Sequence, residues 1–139
     1  MDREVIAEKL ESLRRCYCRI QEKCPLTAEQ LARDIDVQDI LTLNLTRAVQ
    51  LCVDLAAHLV AGSGAAPPAT MGQSFDLLAT GGIISPDLAQ RMKRAVGFRN
   101  IAVHNYEAIN WHVVHAIATR QLDDFREFAE AVVRHDEGQ

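Results

Sequence analysis

Apolar residues recur along this chain at spacings of three and four, the period of a helix that buries one face. Val5, Ile6, Leu10, Leu13 and Tyr17 form the first stripe, with Asp2 placed as its N-cap. The pattern stops near Cys24-Pro25, because a residue before proline is pushed out of the helical region. Thr27, with Gln30 three residues on, has the form of a capping box, "TAEQ", and opens a short helical piece. A longer helix is predicted from about Asp36 to Ala61, on the stripe Leu41, Leu45, Ala48, Cys52, Leu55 and Leu59. It ends in "GSGAAPPAT", a glycine- and proline-rich loop without periodicity.

Thr70 is placed to cap the next apolar segment, and Gly81-Gly82 to stop it. Ser85 as N-cap and Pro86 at the first helical position open another helix, "SPDLAQRMKRAVGFRN". Asn110 then caps a last helix that carries Val113, Val114, Ile117, Leu122, Phe125 and Phe128. The tail "RHDEGQ" is expected to fray from about residue 135. No stretch alternates with period two and no repeat is present. The prediction is a single all-α domain over residues 1–139, an up-and-down bundle of four to five helices with short connections.

Composition sharpens this only in places. A chain of 139 residues can bury a core without staples, and few aromatics beside many Leu, Ala and Val favour helices. The net charge of −4 argues against indiscriminate nucleic-acid binding but leaves room for a local basic cleft. "MDREVIAEKLESL" has no apolar signal-peptide core. The richest apolar stretch, Leu41 to Val60, is interrupted by Asn44, Arg47, Gln50, Asp54 and His58. We therefore expect no membrane association and a cytoplasmic protein with reduced cysteines. Cys16 and Cys18 would point about 200° apart on a helix. Cys24 and Cys52 complete no zinc spacing, so the cysteines are read as structural and neither a metal nor a cofactor is expected.

Charge patterning singles out one segment. Between Leu88 and Tyr106 stand Arg91, Lys93, Arg94 and Arg99, with no acid among them. Such a segment can attract a phosphate-bearing ligand. Equally, its cations can offset a helix C-terminal dipole and coat a solvated face. Inside it lies "RNIAVHNY", Arg99 to Tyr106. On a straight helix Arg99 and His104 would point about 140° apart, too far for one small site. Either the helix distorts or ends between them, a break that Asn100 can hold, or a second copy completes the site across a symmetric interface. Arginine offers a planar fork matched to phosphate, and histidine can move a proton near neutral pH. Without a carboxylate pair for magnesium, the two suit metal-independent RNA cleavage. The ribose 2′-hydroxyl would attack the adjacent phosphorus, with His104 moving a proton and Arg99 stabilising the anionic transition state. DNA lacks that internal nucleophile, so no activity on DNA is expected.

"RNIAVHNY" resembles the R-x4-6-H signature of the HEPN superfamily, in the extended R-N-x-x-x-H-x-Y form of HepT-like proteins. The likeness extends to the long helix, where Asn44, Leu45, Ala48 and Asp54 are similar to the family's N-L-x-x-A-x-x-x-x-x-D pattern. One departure is Asn110, where an acidic residue is common in relatives; asparagine can still cap the helix. The resemblance implies a small all-α symmetric homodimer acting as a ribonuclease toxin of a toxin–antitoxin pair. Its implied partner is an MntA-like minimal nucleotidyltransferase that neutralises the toxin by attaching AMP to the motif tyrosine. By that likeness Arg99 and His104 are catalytic, Asn100 supports them and Tyr106 accepts AMP. Arg91, Lys93 and Arg94 are then candidates for contacts to RNA phosphates. A different function fits the same residues: a non-catalytic helical partner, or substrate-presenting subunit, of a nucleotidyltransferase. A purely structural dimerisation domain is a further one.

Other polar groups read more plainly. Asp54 and His58 lie four apart on one helix face and are expected to make a local polar contact. His112 and His115 have no carboxylate partner nearby in sequence, and Trp111 reads as an anchor of the core or of a dimer interface. Arg14, Arg15 and Arg19 read as surface residues that are able to extend an RNA groove.

Overall fold

Local signals start and stop the helices as the sequence leads one to expect. In the computed structural model, which describes residues 3–138, the order is α1 (Arg3–Lys23), α2 (Ala28–Ala32), α3 (Ile35–Gly62), α4 (Met71–Thr80), α5 (Pro86–His104), a 3-10 turn (Tyr106–Ala108), α6 (Trp111–Arg120) and α7 (Asp123–Glu137). The proposed N-cap Asp2 lies outside the described residues. Thr27 and Gln30 form both bonds of the capping box, and Thr70, Ser85 and Asn110 each accept from the backbone of the helix they open. Gly82 closes α4 at a φ of +78°, a left-handed turn that a side chain would strain, and lets the Ile83 N–H reach Leu78 O.

The fold is built around α3. Its residues Leu41, Leu45, Cys52, Leu55 and Ala56 are wholly buried, and α1, α4, α5 and α7 all pack on it. This helix is long and apolar enough to cross a membrane by length and composition, but 56% of the qualifying window is buried inside the fold. It is a core helix, because its apolar positions spread around the axis and each neighbour covers one side. Cys16 and Cys52 are part of that core; burial pushes both thiols up, whereas Cys18 is exposed.

Three expectations are corrected. The described residues hold seven α-helices, not four or five, because the short pieces α2 and α4 are helices in their own right and the last helix is two. The break falls at Gln121-Leu122, where α6, which packs on α2 and α3, gives way to α7, which packs on α3, α1 and α5. One straight rod cannot bury Val114 and Ile117 on the first surface and Phe125, Phe128 and Val132 on the second. Asp123 and Asp124 in the first turn of α7 favour a new start there. Finally, the helix continues into the expected tail: α7 runs to Glu137, and the Gly138 N–H bonds to Arg134 O.

Candidate active site

Helix α5 delivers the motif. It runs unbroken from Pro86 through His104 and ends where Asn105, at φ −151° and ψ 68°, leaves the helical region. The Asn105 N–H bonds to Ile101 O at 2.8 Å, and the 3-10 turn then folds the chain back toward Asn110. No break separates Arg99 from His104, so of the two alternatives the distorted or ended helix falls. Both residues stand on one regular helix and diverge by about 140°. Nor does Asn100 hold a break; its Oδ1 accepts from Arg99 Nη1 at 3.1 Å and holds the guanidinium. Arg99 is half-buried, and its Nε is buried without a hydrogen-bond partner. His104 is exposed at the last position of the helix.

The basic segment is less basic in three dimensions than in sequence. Arg91 is clamped by Asp87 at 2.9 Å, by Glu127 at 3.1 Å and by Asp124. Those bonds, Glu127 foremost, hold its pKa above the ordinary arginine value. Lys93 pairs with Asp76 at 3.0 Å. Acids from α4 and α7 thus already neutralise Arg91 and Lys93, which weakens both as candidates for RNA phosphate. Arg94 remains exposed. The Arg91 clamp ties α5 to α7 and is structural. Arg91→Met is expected to lower stability by about 1–3 kcal/mol, since the partly buried Asp124 loses its partner. Chemical denaturation measures this; an unchanged midpoint rejects it.

Tyr106 is 40% exposed, and its hydroxyl donates to Asp39 Oδ1 at 2.7 Å. Its ring meets Trp111 edge-on, with centroids 6.1 Å apart and planes at 64°. Trp111 itself is half-buried and packs against the core, as an anchor does. Burial first, and then the Asp39 carboxylate, raise the phenol pKa, while the Thr42 hydroxyl acts to lower it. Asp39 and Thr42 were not visible as site residues in the sequence. They belong to α3, 67 and 64 positions before Tyr106, and no local pattern links them to it.

Most of the remaining candidates make contacts that hold the fold. Asp54 accepts from Lys9 and Gln50 and not from His58, whose buried Nε2 has no partner, so the expected Asp54–His58 contact is not made. His115 Nε2 bonds to Pro25 O at 2.8 Å and pins α6 to the loop after α1, while His112 is exposed. Arg14 and Arg15 pair with Glu11, whose carboxyl Arg14 holds down to about 2, and Arg19 pairs with Glu22. Among the described residues no cluster of His, Cys, Asp and Glu is disposed to hold a metal ion.

Shape and chemistry do not coincide. An apolar groove of about 660 Å³ lies between α1 and α7, walled by Leu10, Tyr17, Ala129 and Val133, and touches none of the motif. A second, of about 510 Å³, runs between α5 and α6 past Arg94, Ile101, Ile109 and Val113. Ile101 and Val113, two large apolar residues that stay exposed, both line this groove, whereas Val103 points about 200° away from Ile101 around α5. Such a patch marks a contact surface.

Known proteins share both the sequence and the fold of this chain. The family described as ribonuclease HepT-like matches residues 9–132. The chain is 33% identical over 129 residues to an mRNA nuclease HepT of Shewanella oneidensis, covering 93% of this chain and 96% of that one. It superposes on a tri-AMPylated HEPN toxin of Shewanella oneidensis, solved in complex with its MNT antitoxin, with a TM-score of 0.89 and 33% identity over 96% of this chain and 99% of that one. A toxin–antitoxin structure with AMP-PNP matches with a TM-score of 0.87 and 32% identity, over 95% of this chain and 99% of that one. The cytosolic protein YutE of Bacillus subtilis has the same fold, with a TM-score of 0.86 at 12% identity over 99% of this chain and 92% of that one.

Proposed function

The chain belongs to the ribonuclease HepT-like family, and on that premise we propose that it is the toxin of a toxin–antitoxin pair, a metal-independent RNA endonuclease. Arg99 carries this reading. Arg91 and Lys93 of the same helix are neutralised by acids, whereas the hydrogen bond that Arg99 makes among the described residues is to an amide oxygen. Its charge is left for an external anion. The RNA 2′-hydroxyl attacks the adjacent phosphorus, the bond to the 5′ oxygen breaks, and a 2′,3′-cyclic phosphate forms. His104 moves a proton in that step, and Arg99, oriented by Asn100, stabilises the charge that builds on the phosphoryl oxygens.

Because Arg99 and His104 diverge on one regular helix, the working site takes residues from two copies of the chain. Ile101 and Val113 then form the contact between them. Ile101→Asp is expected to yield a monomer with cleavage reduced at least about tenfold, since an unpaired charge in an apolar contact is costly. A dimer in light scattering with undiminished cleavage rejects the two-copy site. Tyr106 accepts AMP from an MNT-type nucleotidyltransferase, as the tri-AMPylated relative suggests. Phosphates attached two residues from His104 occupy the place of the RNA backbone and repel it. Arg94 is the remaining candidate for a phosphate contact. An enzyme acting on messenger RNA works in the cytoplasm.

Incubation of the purified chain with RNA in EDTA tests the whole reading. Cleavage is expected in the unmodified protein and its loss after AMP addition. No cleavage at any protein concentration would favour the non-catalytic partner of a nucleotidyltransferase instead.

A further inference from the structure

The phenol of Tyr106 meets an acceptor that the chain brings from elsewhere. Asp39 Oδ1 takes its hydroxyl hydrogen bond at 2.7 Å. Thr42, one turn further along α3, is only 6% exposed; its hydroxyl makes no hydrogen bond here but is near enough to draw the phenol pKa down. With the residue 40% exposed, a reactant can still approach. A neutral phenol is a weak nucleophile, and a phenolate beside a carboxylate and partly out of water is disfavoured. Attack is easiest when the proton leaves as the new bond forms, and the carboxylate is already in line for it.

We propose that Asp39 is the general base for nucleotide transfer onto Tyr106, with Thr42 donating a hydrogen bond to the phenol oxygen as it loses its proton. The step balances as follows. The bond from Tyr106 Oη to the α-phosphorus of a nucleoside triphosphate forms, and the bond from that phosphorus to the oxygen bridging to the β-phosphate breaks. Pyrophosphate leaves with the electron pair, and the phenolic proton passes to Asp39 Oδ1. This rests on the reading of Tyr106 as the acceptor. It also limits Asp39 to the first addition. A further AMP joined to the first uses a ribose hydroxyl, which lies a nucleotide's length from Asp39.

The test uses the full chain, ATP, magnesium and an MNT-type nucleotidyltransferase that modifies the wild type, with intact mass followed in time. Asp39→Asn keeps an oxygen able to accept from the phenol but has no place for a proton. It is expected to slow the first addition about a hundredfold, while later additions keep their rate. Unmodified and fully extended chains then dominate, with little between. Asp39→Glu, which keeps the carboxylate, recovers part of the rate, and Thr42→Val slows the first addition several-fold. The first addition to Asp39→Asn should also rise about tenfold per pH unit below the phenol's own ionisation, a dependence the wild type lacks. Asp39 is the carboxylate facing the phenol from α3, and neither Thr42 nor Trp111 carries charge.

Tyr106→Phe separates the two levels of the reading. If that variant is still modified, the acceptor reading fails and this inference with it. If it is not, and Asp39→Asn takes its first AMP at the wild-type rate, Asp39 is not the base. The wild-type pH profile decides without any variant: a tenfold rise per unit up to the phenol's ionisation means that solvent takes the proton, and overturns the proposal.

Discussion

His104→Ala is expected to lower the rate of RNA cleavage by about 10²–10⁴-fold, the usual worth of a positioned acid or base. Arg99→Ala should cost about 10²–10³-fold, as does loss of a group that stabilises transition-state charge. Neither loss should come from unfolding. His104 is exposed at the end of α5, and such positions tolerate substitution within about 0.5 kcal/mol. Arg99 is half-buried, but its Nε is unpartnered there, so truncation removes a group that the fold does not satisfy. Arg99→Lys keeps the charge without the planar fork and should recover little of the rate. The double variant should be scarcely worse than either single one, because both act in the same step. Initial cleavage rates on a defined RNA, with melting temperatures of the same samples, check all four. Cleavage persisting in both single variants at the wild-type rate would show that the activity belongs to other residues or to a contaminant.

Phe128→Ala should have the largest effect on stability, a loss of about 3–5 kcal/mol. Phe128 and Phe75 are both fully buried and meet edge to face, with centroids 5.5 Å apart and planes at 77°. This contact joins α4 to α7 across the flank of α3, and truncating either ring leaves a cavity that packed helices cannot close. Against a total of about 5–15 kcal/mol for an ordinary domain, the change is severe. A fall of roughly 10–20 °C in melting temperature follows for a chain of this size. Phe128→Leu should cost less than half as much, because it removes fewer packed atoms. A loss below about 1 kcal/mol for Phe128→Ala would mean that the two rings are not packed as described. The effect on cleavage should follow the folded fraction, since α7 is tied to α5 at Arg91, eight residues before Arg99.

Most helix limits were legible in the sequence because capping is decided within four residues. Thr27, Thr70, Ser85 and Asn110 each satisfy backbone N–H groups of the helix that begins beside them. The motif was legible for a similar reason: Arg99, Asn100, His104 and Tyr106 fall within eight residues, on the last turns of α5 and the corner after it. The division of the last helix was not. It depends on which neighbours cover Val114 and which cover Phe125, and periodicity alone reads through such a break.

Charge shows the same boundary most clearly. The sequence determined that Arg91, Lys93, Arg94 and Arg99 share one helix without an acid between them, and that a histidine and a tyrosine follow. Only the tertiary structure decided which of those groups remain able to act. Asp124 and Glu127 from α7 take Arg91, Asp76 from α4 takes Lys93, and Asp39 from α3 takes the hydroxyl of Tyr106. The physical reason is range. Helix propensity and capping are settled among neighbours in sequence, whereas a charge or a proton answers to whatever packing brings within about 4 Å, however distant along the chain.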